Sequence, residues 1–213
     1  MLYTLVMHQS ALGKLFVHIA HSQTVLLRRL CRLVYCLLPC LVLVGVASAG
    51  ASQQRVTLMV DTRALSLSVV QGEEVVSVFD NIAIGSNGAT WNKRQGDEKT
   101  PLGEFHITEV RQSDRFIMFI ALDYPNLDHA QRALQDKRIS SGTYSAVKNA
   151  FAQGRPPPQQ TSLGGHIGIH GLGSGDPDIH SSFNWTNGCI AVTNEQLEQL
   201  LSWVHPGTRV LIR

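Results

Sequence analysis

The sequence predicts a mainly β domain with one or more helices, and three observations carry this. "RVTLMVDTRALSLSVVQGEEVVSVFDNIAIG", residues 55–85, alternates apolar and polar residues, is rich in valine and turns at "QGEE"; period two is the pattern of half-buried strands. Comparable short stretches recur in "TPLGEFHITEVR", "RFIMFIALDYP", "HIGIHG" and "GTRVLIR". Only "TNEQLEQLLSWV" joins a helical stripe (Leu197, Leu200, Leu201, Val204) to a start signal, Thr193 and Gln196 in capping-box spacing.

Taken in order, the chain opens with a segment unlike the rest. Residues 1–49 hold Lys14, Arg28, Arg29 and Arg32 and no acid; "RRLCR" precedes the 14-residue apolar run Leu33 to Val46, and "ASA" at 47–49 follows it. Positive flank, apolar run and small-x-small site form the pattern of a secretory signal, and the run is short of the roughly 20 residues of a membrane span. Residues 1–49 are therefore read as a signal peptide, or as an anchor if uncleaved, and 50–213 as the domain whose chemistry is read below. The expected location is periplasmic or otherwise extracytoplasmic, with membrane contact only through an uncleaved N-terminal segment. The domain keeps 14 basic against 16 acidic residues, a balance that argues against nucleic acid as a partner.

After the first strands, "SNGATWNKRQGDEKT" reads as a polar loop, and Pro101 and Gly103 shape the entry to the next strand. "NLDHAQRALQDK" and "YSAVKNAFAQ" have helical composition and form an insertion over 126–153, and "GRPPPQQTS" is a proline-stiffened loop. "HIGIHG", read as a strand, places His166, Gly168 and His170 on one face and Ile167 and Ile169 on the other. Surface histidines on an edge strand would be the bland reading of that pattern.

Four cysteines are present, and three of them, Cys31, Cys36 and Cys40, lie in the proposed signal. Cleavage would leave Cys189 as a lone thiol in an oxidising compartment, with no internal disulfide partner. A buried inert thiol is one reading; its place after Gly188 in the polar loop "WTNGC" argues for chemistry. A histidine can take its proton and hold the imidazolium beside the sulfur, and loop N–H groups can face an oxyanion. On this reading the thiol has a lowered pKa and reacts faster than a free cysteine. No cofactor is needed. A zinc site from His166, His170, His180 and Cys189 is the competing reading, though paired-cysteine spacing is absent.

"IHG", 14 residues from Leu172 to Trp185, and then "TNGC" together resemble the signature of the L,D-transpeptidase (YkuD-domain) family. "GDEKTPLGEFHI" resembles its Thr-Pro-x-Gly segment, and "GCIAVTNEQLEQL" with "GTRVLIR" its C-terminal helix and strand. The resemblance, over about Arg55 to Arg213, implies an L,D-transpeptidase-like β-sandwich catalytic domain. It also implies peptidoglycan stem peptides as substrate, a wall-attached lipoprotein as a further candidate partner, and a thioester passed to an amine. Cys189 matches the nucleophile and His170 the base; Gly171 would orient the imidazole and Gly188 would line the oxyanion site. His166, Thr186 and Asn187 are candidate substrate contacts. Asn187 stands where many members carry histidine, and Ala191 where many carry arginine. With water as acceptor the same site would act as an L,D-carboxypeptidase or crosslink hydrolase. A non-catalytic wall-binding module is a third class, against which the intact Cys189 and His170 weigh.

Overall fold

The computed structural model describes residues 55–213, so the signal segment proposed for 1–49 lies outside the described residues. Ten strands and four helices follow in the order β1 (Val56–Asp61), β2 (Ser66–Gln71), β3 (Glu74–Asp80), β4 (Ala89–Thr90), β5 (Thr100–Pro101), β6 (Gly103–Ser113), β7 (Ile117–Leu122), α1 (Leu127–Gln135), α2 (Ser141–Ala152), β8 (Gly168–His170), α3 (Pro177–Ser182), β9 (Ile190–Ala191), α4 (Asn194–Leu201) and β10 (Arg209–Ile212). The mainly β expectation holds. Eight strands form one mixed sheet in the order β3-β2-β1-β10-β6-β7-β8-β9, and β4 and β5 pair separately.

The alternation seen in the sequence is the alternation of the core. Leu58 and Val60 of β1, Leu67 and Val69 of β2, Phe105 and Ile107 of β6, and Val210 and Ile212 of β10 are all essentially inaccessible to solvent and belong to one cluster. Burying each such side chain contributes about 1.5–3 kcal/mol before chain entropy is counted. Strand β6 links the two halves of the sheet. Its first residues pair with β10, its later ones with β7, and the register shifts between Ile107 and Glu109. A bulge of this kind bends a strand and increases its twist. The chain leaving β3 then bridges to β9 through Ala83 and Ala191. The two ends of the strand order therefore meet.

Helix α4 has the capping box read from its sequence: the Thr193 side chain accepts from the Gln196 N–H, and the Gln196 side chain accepts from the Thr193 N–H. Its Leu197 and Leu200 enter the core. Helices α1 and α2 fill the 126–153 insertion, capped by Asn126 and Ser140. One local reading needs correction. "HIGIHG" is a strand only from Gly168, because His166 has a left-handed backbone, φ 55°. The segment between β8 and β9 contains α3, started by the Asp176 cap and Pro177 at its first turn, where proline loses no hydrogen bond.

Candidate active site

Strands β8 and β9 set the geometry. They run parallel, with Ile169 beside Ile190 and His170 beside Ala191. Continuing that register places Cys189 beside Gly168, so Cys189 and His170 lie one diagonal step apart on the same face of adjacent strands. Ile169 and Ile190, on the opposite face, are fully buried. Gly168 is obligatory at the crossing: a Cβ there would lie 2.5 Å from the Ile120 carbonyl oxygen and 2.6 Å from the Phe119 ring.

His170 does not face open solvent, which sets aside the bland reading of a surface histidine. It is 2% exposed, stacked on Phe116 with centroids 3.9 Å apart, near Phe119, and edge-on to Trp185 at 5.8 Å. Its Nδ1 lies 2.8 Å from the Gly171 carbonyl oxygen. A carbonyl can only accept, so this contact places the proton on Nδ1 and leaves the Nε2 lone pair free as a base. The loop behind is held by α4, whose Asn194 exchanges two hydrogen bonds with the Gly173 backbone at 3.0 and 2.9 Å. Burial pushes the His170 pKa down to about 4, opposed by the Gly171 hydrogen bond and reinforced by Arg115 and His180.

The Cys189 loop is shaped by Thr186. Its hydroxyl donates to the Cys189 carbonyl at 2.7 Å and accepts from the Gly188 N–H at 3.1 Å. Thr186, expected as a substrate contact, is buried with its hydroxyl engaged on both sides and shapes the loop. The Gly188 N–H, expected to line an oxyanion site, is engaged by that hydroxyl in the substrate-free arrangement. What the position does require is glycine: φ is 124°, and a Cβ would lie 2.6 Å from the Lys99 carbonyl oxygen.

The thiol donates to the His166 carbonyl at 3.3 Å. Cys189 is partly accessible from the cleft. Burial nevertheless pushes its pKa up to about 11, against the lowering effects of the Gly168 backbone and Lys93. The expectation of a lowered thiol pKa is thus reversed. Desolvation penalises both the thiolate and the imidazolium, and the resting pair is neutral.

A cleft of about 470 Å³ brings Cys189, His170, His166, Asn187, Arg111 and Arg115 together. His166 and Asn187 are exposed on it. The two arginines and the aromatic wall were not singled out from sequence. Arg111 lies over Phe119 and Arg115 over Phe116, each 4.9 Å from the ring centroid. The β6–β7 turn that carries Arg115 ends at Ile117, a β-branched residue at φ 66°. Such a conformation costs about 1–3 kcal/mol and persists only where its surroundings impose it. A larger cavity, about 740 Å³, lies elsewhere, between Arg55, Trp203 and Arg209, and holds none of the candidate catalytic residues.

His180 is not gathered with the cysteine as the zinc reading required. It is buried, and its Nδ1 accepts from the Trp185 indole N–H at 3.3 Å. Among the described residues no three His, Cys, Asp or Glu side chains are placed to hold a metal ion.

The L,D-transpeptidase catalytic domain (YkuD) model matches residues 55–212. Among solved structures, the helical cell shape determining protein Pgp2 of Campylobacter jejuni superposes with a TM-score of 0.52 at 20% identity, over 76% of this chain and 48% of that one. A point variant of the same protein gives 0.51 at 19%, with the same coverage. An L,D-transpeptidase from Xylanimonas cellulosilytica gives 0.45 at 16%, over 76% of this chain and 62% of that one. The chain spans about half the length of the Pgp2 structures, and the likeness is one of fold. A search of curated proteins found no match.

Proposed function

The chain belongs to the L,D-transpeptidase (YkuD) catalytic-domain family, and from that premise we propose that it is an exported cysteine acyltransferase acting on peptidoglycan stem peptides. The observation that carries this reading is the placement of Cys189 and His170 one diagonal step apart on one cleft face, with the His170 tautomer set by Gly171. In the proposed step the thiol leaves the His166 carbonyl and gives its proton to His170 Nε2. The sulfur electron pair attacks the carbonyl carbon at an L-centre to D-residue bond. The oxyanion faces the Cys189 N–H, since the Gly188 N–H is already engaged. Collapse breaks the C–N bond, the departing amine takes the proton from His170, and a thioester remains. An acceptor amine completes transpeptidation by the reverse sequence; water would give a carboxypeptidase or crosslink hydrolase.

Arg111 and Arg115 fit a donor or acceptor that carries free carboxylates, because guanidinium groups bind carboxylates through paired hydrogen bonds. Each is already ordered by its aromatic neighbour, which reduces the entropy lost on binding. Mass spectrometry of defined stem peptides incubated with the purified domain tests the function. Crosslinked dimers support transpeptidation, trimmed monomers support hydrolysis, and unchanged peptides would leave only a wall-binding role. Export is tested separately: protein from an extracytoplasmic fraction should begin near Gly50, and a chain retaining Cys31, Cys36 and Cys40 would refute cleavage.

A further inference from the structure

A charged pair that the mechanism above does not use lies directly behind the cysteine loop. Lys93 is 3% exposed, and lysines are almost never so buried unless paired. Its Nζ lies 2.7 Å from Asp97 Oδ1. Asp97 also accepts the backbone N–H groups of Arg94 at 2.7 Å and Lys99 at 3.0 Å, so the turn it organises has supports besides the lysine. The ammonium points toward the catalytic loop: a Cβ built on Gly188 would lie 3.0 Å from Lys93 Nζ. Gly188 immediately precedes Cys189, and its missing side chain allows the cation this close.

We propose that Lys93 is an electrostatic positioning residue for Cys189, its ammonium behind Gly188 favouring the negative charge that develops on the sulfur as the thiol proton moves to His170. The inference rests on Cys189 being the nucleophile. The pair is oriented for this role. The carboxylate end acts on buried Tyr124, whose phenol Asp97 helps to push up, whereas the ammonium end acts on Cys189, whose thiol Lys93 pulls down against burial. In a desolvated site a fixed charge acts with little competition from water and needs no reorganisation at the moment of reaction. A purely structural filler here need not be charged, because an apolar pair of similar volume often matches a buried ion pair in stability.

The test is alkylation of Cys189 at pH 8 with neutral iodoacetamide and anionic iodoacetate, without any wall substrate. Two neutral variants are compared: Lys93→Met/Asp97→Asn, which leaves no unpaired buried charge, and Lys93→Gln, which keeps a hydrogen bond to Asp97. Circular dichroism and melting establish that each is folded. Both should react about tenfold more slowly with iodoacetamide, the equivalent of one pKa unit, and should lose more with iodoacetate. Lys93→Arg should remain within about threefold of wild type. Wild-type rates in folded neutral variants would overturn the proposal, as would equal slowing in Lys93→Arg, which would mean shape rather than charge. Turnover that survives Cys189→Ser would instead overturn the nucleophile assignment.

Discussion

The resting protonation state of the site can be read by varying pH. Burial places the Cys189 thiol at about 11 against an ordinary value of 9.0, and His170 at about 4 against 6.5. Two units on the thiol make the thiolate fraction at pH 7 about 100-fold smaller than that of an ordinary cysteine, a difference of roughly 3 kcal/mol. The internal ion pair, thiolate beside imidazolium, is disfavoured from both sides, because burial raises the thiol and lowers the imidazole. Alkylation of the substrate-free enzyme should therefore follow solvent-driven thiolate formation. The logarithm of its rate should climb with unit slope from about pH 5 to about pH 10, and at pH 7 should lie about 100-fold below that of a short cysteine peptide. The assay is intact-mass detection of the iodoacetamide adduct across the pH series, mapped to Cys189. A plateau beginning below pH 8, or a rate at pH 7 matching the peptide, would refute the neutral-pair account and restore a preformed ion pair. With substrate bound, the carbonyl accepts the sulfur electrons as His170 accepts the proton, so slow alkylation is compatible with turnover.

His170→Ala should lower kcat/KM by at least about 10²-fold, the lower end for a lost general base, while His166→Ala costs less; an equal loss would move the base assignment to His166. Arg111→Ala/Arg115→Ala should raise KM for carboxylate-bearing peptides about tenfold or more with kcat changed little, and an amidated peptide should be insensitive to the change. Gly188→Ala should destabilise the fold by about 1–3 kcal/mol and lower turnover, because φ of 124° and the Lys99 carbonyl at 2.6 Å leave no room for a methyl group; a wild-type melting temperature would contradict the geometry. In chemical denaturation, the stability linked to His170 should be fully present above pH 6.5. It should be lost as pH falls toward about 4, because the unfolded imidazole binds a proton that the folded one refuses. The loss amounts to at most about 3 kcal/mol, and a His170→Gln variant should show a correspondingly flatter acid limb.

Much of this protein is local, and local features are legible in a sequence. The alternation of Leu58, Val60, Leu67 and Val69 identifies their strands because a pleat repeats every two residues. The Thr193–Gln196 capping box marks the start of α4 because both partners lie within one turn. Spacing and residue type single out Cys189 and His170, and Gly171 needs only to follow the histidine. What the sequence could not determine is what surrounds those atoms. Phe116, Phe119 and the two arginines reach the cleft from the β6–β7 hairpin, more than 60 residues before the cysteine loop, and Lys93 approaches the back of that loop from a polar segment still further back. Thr186 and Gly188 were recognised as motif positions, but their hydrogen bonds depend on how the loop closes. The direction of the cysteine and histidine pKa shifts was decided at the same level: desolvation is a property of the packed surroundings, and those are assembled only when distant segments meet.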